Sequence, residues 1–214
     1  MKKPCSVPWK IASTEDQELF VKNLEIRQDE ALKNNNVVLF CDACHIIHNT
    51  IIKSLWQLKW DKFTMKIKAN SWRDRRNVLW VLELNSSNIY TKVFGWSCNS
   101  EVFMEFLYDV RQKYKDKKYI DIVLDNARYQ KSKEVLELAE ILDIRLIFLP
   151  PYTPNLNTIE KLWKRLKSKL SNVYNEKSAE LYEYICDIFR KSQDIYRDEI
   201  LQISNTKTRI INSI

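Results

Sequence analysis

Leu149-Pro150-Pro151-Tyr152-Thr153-Pro154-Asn155-Leu156-Asn157-Thr158-Ile159-Glu160-Lys161-Leu162-Trp163 is the stretch on which the reading of this 214-residue chain turns. It begins where a β-type run, Arg145–Leu149, is stopped by Pro150-Pro151, because proline brings no amide hydrogen to a sheet ladder. Beyond the prolines, Ile159, Leu162, Trp163, Leu166 and Leu170 recur at the spacing of one apolar helix face. A helix is therefore expected over about 158–170, with Thr158 able to cap it. Glu160 opens that helix, so a stiff proline loop holds one carboxylate just past the end of a strand.

The pattern continues in both directions. Upstream, a helix over 131–142 buries Val135, Leu138, Ala139 and Leu142, and Ile120–Leu124 is a short buried strand ending at Asp125. Before that, a helix over about 101–114 presents Val102, Phe103, Phe106, Leu107 and Val110 on one face. Asn77–Leu84 and Ile89–Trp96 read as two strands joined through Asn85-Ser86-Ser87-Asn88. Val37-Val38-Leu39-Phe40 is an apolar strand whose end is marked by Asp42, and Gly95 lies where the third strand gives way to a helix. Residues 13–33 form a helix capped by Ser13, with Leu19, Phe20 and Leu24 as its stripe, and residues 178–196 form another with Leu181, Tyr182, Ile185 and Phe189.

Two antiparallel strands followed by β-α-β-α units imply an α/β protein with a mixed sheet and helices on it. The ribonuclease H-like fold has this order: a five-stranded mixed sheet, three antiparallel strands then two parallel ones, flanked by helices. The expected division is an N-terminal linker with one helix (1–36), a catalytic domain (37–171) and a C-terminal helical extension (172–214).

Functional groups in such sheets gather at the carboxyl ends of the strands. Asp42, Asp125 and Glu160 are all expected there, and thirty-four residues separate the last two, room for a helix, a strand and a turn. Strand-end Asp residues also bind turn amides, and a first-turn Glu complements the helix dipole. Three acids at one edge, however, repel one another near neutrality and call for cations. All-oxygen ligands suit Mg²⁺ or Mn²⁺. Two such ions per site stabilise the attacking and leaving oxygens of an in-line phosphoryl displacement.

Composition narrows the class further. The chain has one glycine, Gly95, where about 7% usage is ordinary, so neither a Walker A loop nor a G-x-G-x-x-G turn can be written. The net charge of +7 is concentrated. Lys59 to Arg76 holds seven cations against two acids, among them Arg73, Arg75 and Arg76, and Ile159 to Leu170 holds five against one, among them Lys161, Lys164, Arg165 and Lys167. Two basic segments suggest a polyanion. Of the tryptophans around the first, Trp56, Trp60, Trp72, Trp80 and Trp96, some can stack on DNA bases, while most belong to the core. Five cysteines make no disulfide framework. Met1–Lys10 has no apolar leader-like run and no segment is apolar enough to span a bilayer, so the expected place is the reducing cytoplasm, at the nucleoid, with no membrane partner. Cys41, Cys44, His45 and His48 invite a haem or zinc reading. Haem attachment belongs to an exported setting, for which no leader-like run speaks; the crowding of both pairs into eight residues, with Cys41 turned away from Asp42 if the strand continues, argues against zinc.

Three strings, Val38–Asp42, Leu124–Tyr129 (LDNARY) and the proline stretch above, together resemble the catalytic domain of DDE transposases of the bacterial insertion-sequence branch of the Tc/mariner superfamily. The resemblance covers residues 37–170. It implies Asp42 bridging two Mg²⁺ ions, Asp125 holding one and Glu160 the other. The implied function is metal-dependent DNA strand cleavage and 3′-OH strand transfer in transposition, on double-stranded DNA with terminal inverted repeats and a TA target. It implies a homodimer. It also implies that His45 and His48 lie near the acids. Asn126 would orient a metal ligand or contact substrate, and the basic residues would hold phosphates. Some positions depart from the family: Gln130 stands for a frequent His, Thr158 for Pro, Ala43 for an acid or Gly, and Trp80 for Gly. The 36 residues before the first strand are too few for the helix-turn-helix modules of full-length members, so a separately encoded DNA-binding partner is one expectation. The rival readings are a truncated DNA-binding remnant and a stand-alone metal-dependent nuclease of the same fold.

Overall fold

A computed structural model of the chain describes residues 10–47, 66, 68, 75–84, 86, 88–95, 97–170, 177–195, 198 and 201. Five strands form one sheet: β1 (Val37–Ile47), β2 (Arg75–Glu83), β3 (Ile89–Phe94), β4 (Ile120–Leu124) and β5 (Ile144–Phe148). Among the described residues five α-helices accompany them: α1 (Thr14–Asn34), α2 (Ser100–Lys113), α3 (Lys133–Ile141), α4 (Ile159–Leu170) and α5 (Ser178–Ile195). The spatial order is β3-β2-β1-β4-β5. β1–β2 and β2–β3 run antiparallel, and β1–β4 and β4–β5 run parallel. This is the ribonuclease H-like order expected from the sequence.

The alternation of side chains along β1 divides the core in two. Val37, Leu39 and Cys41 pack with Val102, Phe103, Phe106, Leu107 and Val110 of α2 and with Val135 and Ala139 of α3. Val38, Phe40, Cys44 and Ile46 pack on the other face with Leu24 of α1, Leu162 and Trp163 of α4, and Leu181 and Ile185 of α5. The sheet is thus covered by helices on both sides, which explains why its strands read as apolar runs. All five residues predicted for the α2 face are buried, each contributing about 1.5–3 kcal/mol of transfer free energy.

Local chemistry sets the helix ends. Ser13 Oγ accepts from the Asp16 amide to cap α1, and Asn99 does the same for α2 with the Val102 amide. Asn157, rather than Thr158, caps α4: its Oδ1 accepts from the Ile159 amide at 3.2 Å. Leu19, read as part of the α1 stripe, is 59% exposed. Phe20 and Leu24 alone of that trio meet the core.

The main difference from the sequence reading is the length of β1. Asp42 does not end this strand, which runs on to Ile47 paired with β2. The apolar run stops at Phe40 because parallel pairing with β4 stops there, and beyond it only β2 continues alongside. Among the described residues no helix is long and apolar enough to cross a membrane.

Candidate active site

Register brings the first two acids together. Phe40 of β1 pairs with Val123 of β4. Two residues further along β1 stands Asp42, on the face of Phe40 by alternation, and Asp125 directly follows Leu124, the last residue of β4. Glu160 enters from the first turn of α4, the helix that covers this same face. All three line one cavity of about 570 Å³, with Asn126, Lys131, the loop from Leu149 to Pro154 and Asn157 forming the rest of its wall.

The three acids differ in setting. Asp42 is buried, being 9% exposed, whereas Asp125 and Glu160 are exposed. Asp42 occupies a position in an apolar row between Phe40 and Cys44, so it is desolvated by the core itself. Its Oδ1 accepts from the Ala43 amide at 2.7 Å, and its Oδ2 accepts from Trp163 Nε1 at 2.6 Å. Burial pushes the Asp42 carboxyl up to about 7; the charges of Glu160 and Asp125 add to the rise, and the two hydrogen bonds oppose it. A bound cation beside these carboxylates would favour the ionised form of Asp42 and oppose that rise.

Two positioning contacts were not legible as such in the sequence. Trp163 reaches Asp42 across 121 positions of chain, and its ring lies 4.1 Å from that of Trp80, the residue opposite Asp42 on β2. Gln130, fully buried, donates its Nε2 to Asp125 Oδ1 at 2.6 Å. The departure from His at Gln130 was the one signal that could have marked it. Asn126 straps the ends of two strands: its Nδ2 donates to the Leu149 carbonyl at 2.6 Å, and its Oδ1 accepts from Lys131 at 2.6 Å. It serves the turn and lines the cavity at once.

The basic candidates divide. Lys164 and Lys167 are exposed on α4, and the Lys167 charge is felt at the Cys44 thiol beside Asp42. Arg76 is half-buried, and its guanidinium passes so near Gly95 that a β-carbon there would sit 2.6 Å from Nη1. That neighbour is the end of a flexible side chain and the Gly95 backbone is not left-handed, so neither close approach nor backbone conformation requires glycine there. Arg73 lies outside the described residues, as do the side chains of Arg75, Lys161 and Arg165. Of the tryptophans named around the first basic segment, Trp56, Trp60, Trp72 and Trp96 also lie outside them.

The cysteine-histidine cluster does not form a site. Alternation puts Cys41 and Cys44 on opposite faces, and burial raises both thiols, Cys44 to about 11, so the thiolates a zinc ion needs are disfavoured. His45, expected near the acids, is carried to the Cys41 side of the strand, where its Nδ1 pairs with Asn77 Oδ1. His48 lies outside the described residues. Among the described residues no three His, Cys, Asp or Glu side chains stand close enough together, as placed, to hold a metal ion; the three acids line one cavity, and the charges of Glu160 and Asp125 act on Asp42.

Comparison with known proteins bears on the family and the fold. A family model described as DDE superfamily endonuclease matches residues 14–182. The insertion element IS630 uncharacterized 39 kDa protein of Shigella sonnei is 32% identical over 80 residues, which is 37% of this chain and 23% of that protein. An uncharacterized protein of Sinorhizobium fredii, y4pE/y4sA, is 26% identical over 98 residues, 45% of this chain and 70% of its own length. Among solved structures, the Mos1 mariner paired end complex with Mn superposes with a TM-score of 0.73 at 15% identity, covering 95% of this chain and 63% of that one. The catalytic domain of Mos1 mariner transposase superposes with a TM-score of 0.62 at 13% identity, covering 93% of each. The chain thus spans about a quarter of the Shigella relative and under two thirds of the longer Mos1 chain.

Proposed function

The chain belongs to the DDE superfamily endonucleases, and from that premise we propose that it is a transposase catalytic domain that cuts DNA and joins the freed 3′-OH to a target strand. The observation that supports this most is the single cavity lined by Asp42, Asp125 and Glu160, brought there by β1, β4 and α4. Its donors are all carboxylate oxygens, and the Asp42 carboxyl is held near neutrality by burial and by its two acidic neighbours. Such a set fits hard divalent cations, Mg²⁺ or Mn²⁺. Asp42, Asp125 and Glu160 would hold them. When bound, two such ions lower the barrier to in-line displacement at a phosphodiester by stabilising the entering and departing oxygens.

The chain's own residues prepare that chemistry. Trp163 and the Ala43 amide each hold one oxygen of Asp42. Gln130 holds Oδ1 of Asp125 and leaves the other oxygen to serve a cation. The proline loop and the Asn157 cap fix the first turn of α4, and with it Glu160. Lys131, Lys164 and Lys167 supply positive charge around an otherwise acidic hollow, as DNA phosphates require. The Mos1 neighbours include paired-end complexes, which supports a dimer acting on two inverted-repeat ends; a TA target and a helix-turn-helix partner encoded elsewhere belong to the same reading.

The test is nicking and strand joining on supercoiled DNA carrying the element's ends, with Mg²⁺ or Mn²⁺. Wild type should cut and join; Asp125→Asn and Glu160→Gln should do neither while keeping the wild-type circular dichroism spectrum. Cutting without joining would assign the chain to the nucleases of this fold. DNA binding without metal binding or cutting would assign it to the remnants.

A further inference from the structure

The loop over the acid cavity holds an unusual backbone. Asn35, Asp143 and Tyr152 are the non-glycine residues at positive φ among those described. Asn35 ends α1 and Asp143 follows α3; short polar side chains tolerate the left-handed region. Tyr152, at φ 57°, has no such allowance, because a bulky side chain there crowds its own backbone. Such a residue persists only where its surroundings enforce it.

Here they do. Thr153 Oγ1 donates to the Pro150 carbonyl at 2.6 Å, and the Leu156 amide to the Thr153 carbonyl at 3.1 Å. From behind, the Ala12 amide donates to the Pro151 carbonyl at 3.2 Å. Asn155 Nδ2 donates to Oε1 of Gln17, a buried residue that in turn donates to the Ala12 carbonyl. The start of α1 thus braces the loop, and the enforced turn points an aromatic ring outward. Tyr152 is 59% exposed and stands on the wall of the cavity that holds Asp42, Asp125 and Glu160. An outward ring adds little to the core, and glycine would suit the backbone better. On the same wall stands the Lys131 ammonium, held by Asn126 over the Phe148 ring at 4.7 Å. An exposed aromatic ring and a cation lining one cavity are the elements with which proteins grip unpaired nucleotides.

We infer that Tyr152 is a substrate-positioning residue: its ring stacks on a nucleobase of the strand to be cut and sets which phosphodiester lies over the carboxylates. This rests on the DNA reading above. The experiment is anisotropy titration of a fluorescein-labelled duplex with a short single-stranded tail, in Ca²⁺ buffer over a range of salt, for wild type, Tyr152→Phe, Tyr152→Ala and Tyr152→Gly. Phe should bind within about twofold of wild type; Ala and Gly should bind about tenfold more weakly. The slope of log affinity against log salt should not change, because no charge is removed. Tyr152→Gly should melt at or above the wild-type temperature, which separates loss of the ring from loss of fold. Equal binding by Tyr152→Gly and wild type overturns the inference alone, as does a loss in Tyr152→Phe equal to that in Tyr152→Ala, or a reduced salt slope. A wild-type chain that does not bind the probe overturns the DNA reading and the inference together.

Discussion

Replacing Asp42 by asparagine should stabilise the metal-free protein, and only at neutral and alkaline pH. The folded chain holds this carboxyl at about 7, against its ordinary 3.8. Between those values the folded form keeps a proton that the unfolded form has released. The group's full favourable contribution is present below about pH 4, declines as pH rises, and is gone above about pH 7. The whole difference is worth about 4 kcal/mol. The amide of the Asp42→Asn variant would carry no charge at any pH. Its one oxygen can accept from Ala43 or Trp163 but not both, a loss of about 1–3 kcal/mol; the protonated wild-type carboxyl has one oxygen occupied by its proton in the same way. The two proteins should therefore be close in stability near pH 4. By pH 8 the variant should lead by about 2–4 kcal/mol. Urea denaturation in EDTA across this range measures the gap. A gap that does not widen with pH would refute the picture of a buried carboxylate opposed by Glu160 and Asp125. Adding Mg²⁺ at pH 8 should then close the gap from the wild-type side, by about 2.7 kcal/mol at a hundredfold excess over Kd.

Gln130→Leu should weaken Mn²⁺ binding about 10–100-fold by calorimetry, because Asp125 loses the donor that orients it, and Gln130→His should restore much of that affinity. Asp121 is fully buried on β4 and takes two hydrogen bonds from Arg145, with Arg27 at 3.6 Å. Arg145→Met should cost about 3 kcal/mol by urea denaturation, while adding Asp121→Leu should recover most of it, since a stranded charge costs more than a removed pair. Trp163→Phe keeps the ring packed near Trp80 but removes the donor to Asp42. It should lower the cutting rate more than the stability, which is expected to fall by about 1–2 kcal/mol.

Much of the architecture is open to reading because it depends on local rules. The α2 stripe, the apolar runs of β4 and β5, the helix after the prolines and the capping Ser13 and Asn99 all follow from residue spacing within one element. The strand order follows from the succession of elements, since short crossovers leave few ways to join parallel strands. Local rules fail where a neighbour matters. β1 outruns its apolar stretch because that stretch ends with its parallel partner. His45 turns away from the acids because strand continuation, and so side-chain direction, is decided by pairing with β2. Leu19 belongs by spacing to a stripe that the sheet does not reach.

The acids themselves illustrate the division. Asp125 after a short apolar strand and Glu160 after a proline-stiffened turn are legible in a few adjacent residues, whereas Asp42 lies within β1 and not at its end. Their unequal character was settled only by the fold. Asp42 becomes the buried, proton-holding member because register sets it in an apolar row under α4, within reach of Trp163. Asp125, just beyond the same parallel ladder, stays exposed and is held by a buried amide from the turn that follows it. Hydrophobic spacing determines which elements form. Long-range pairing determines which side chains lose water and which charges must face one another, and those two facts decide the chemistry.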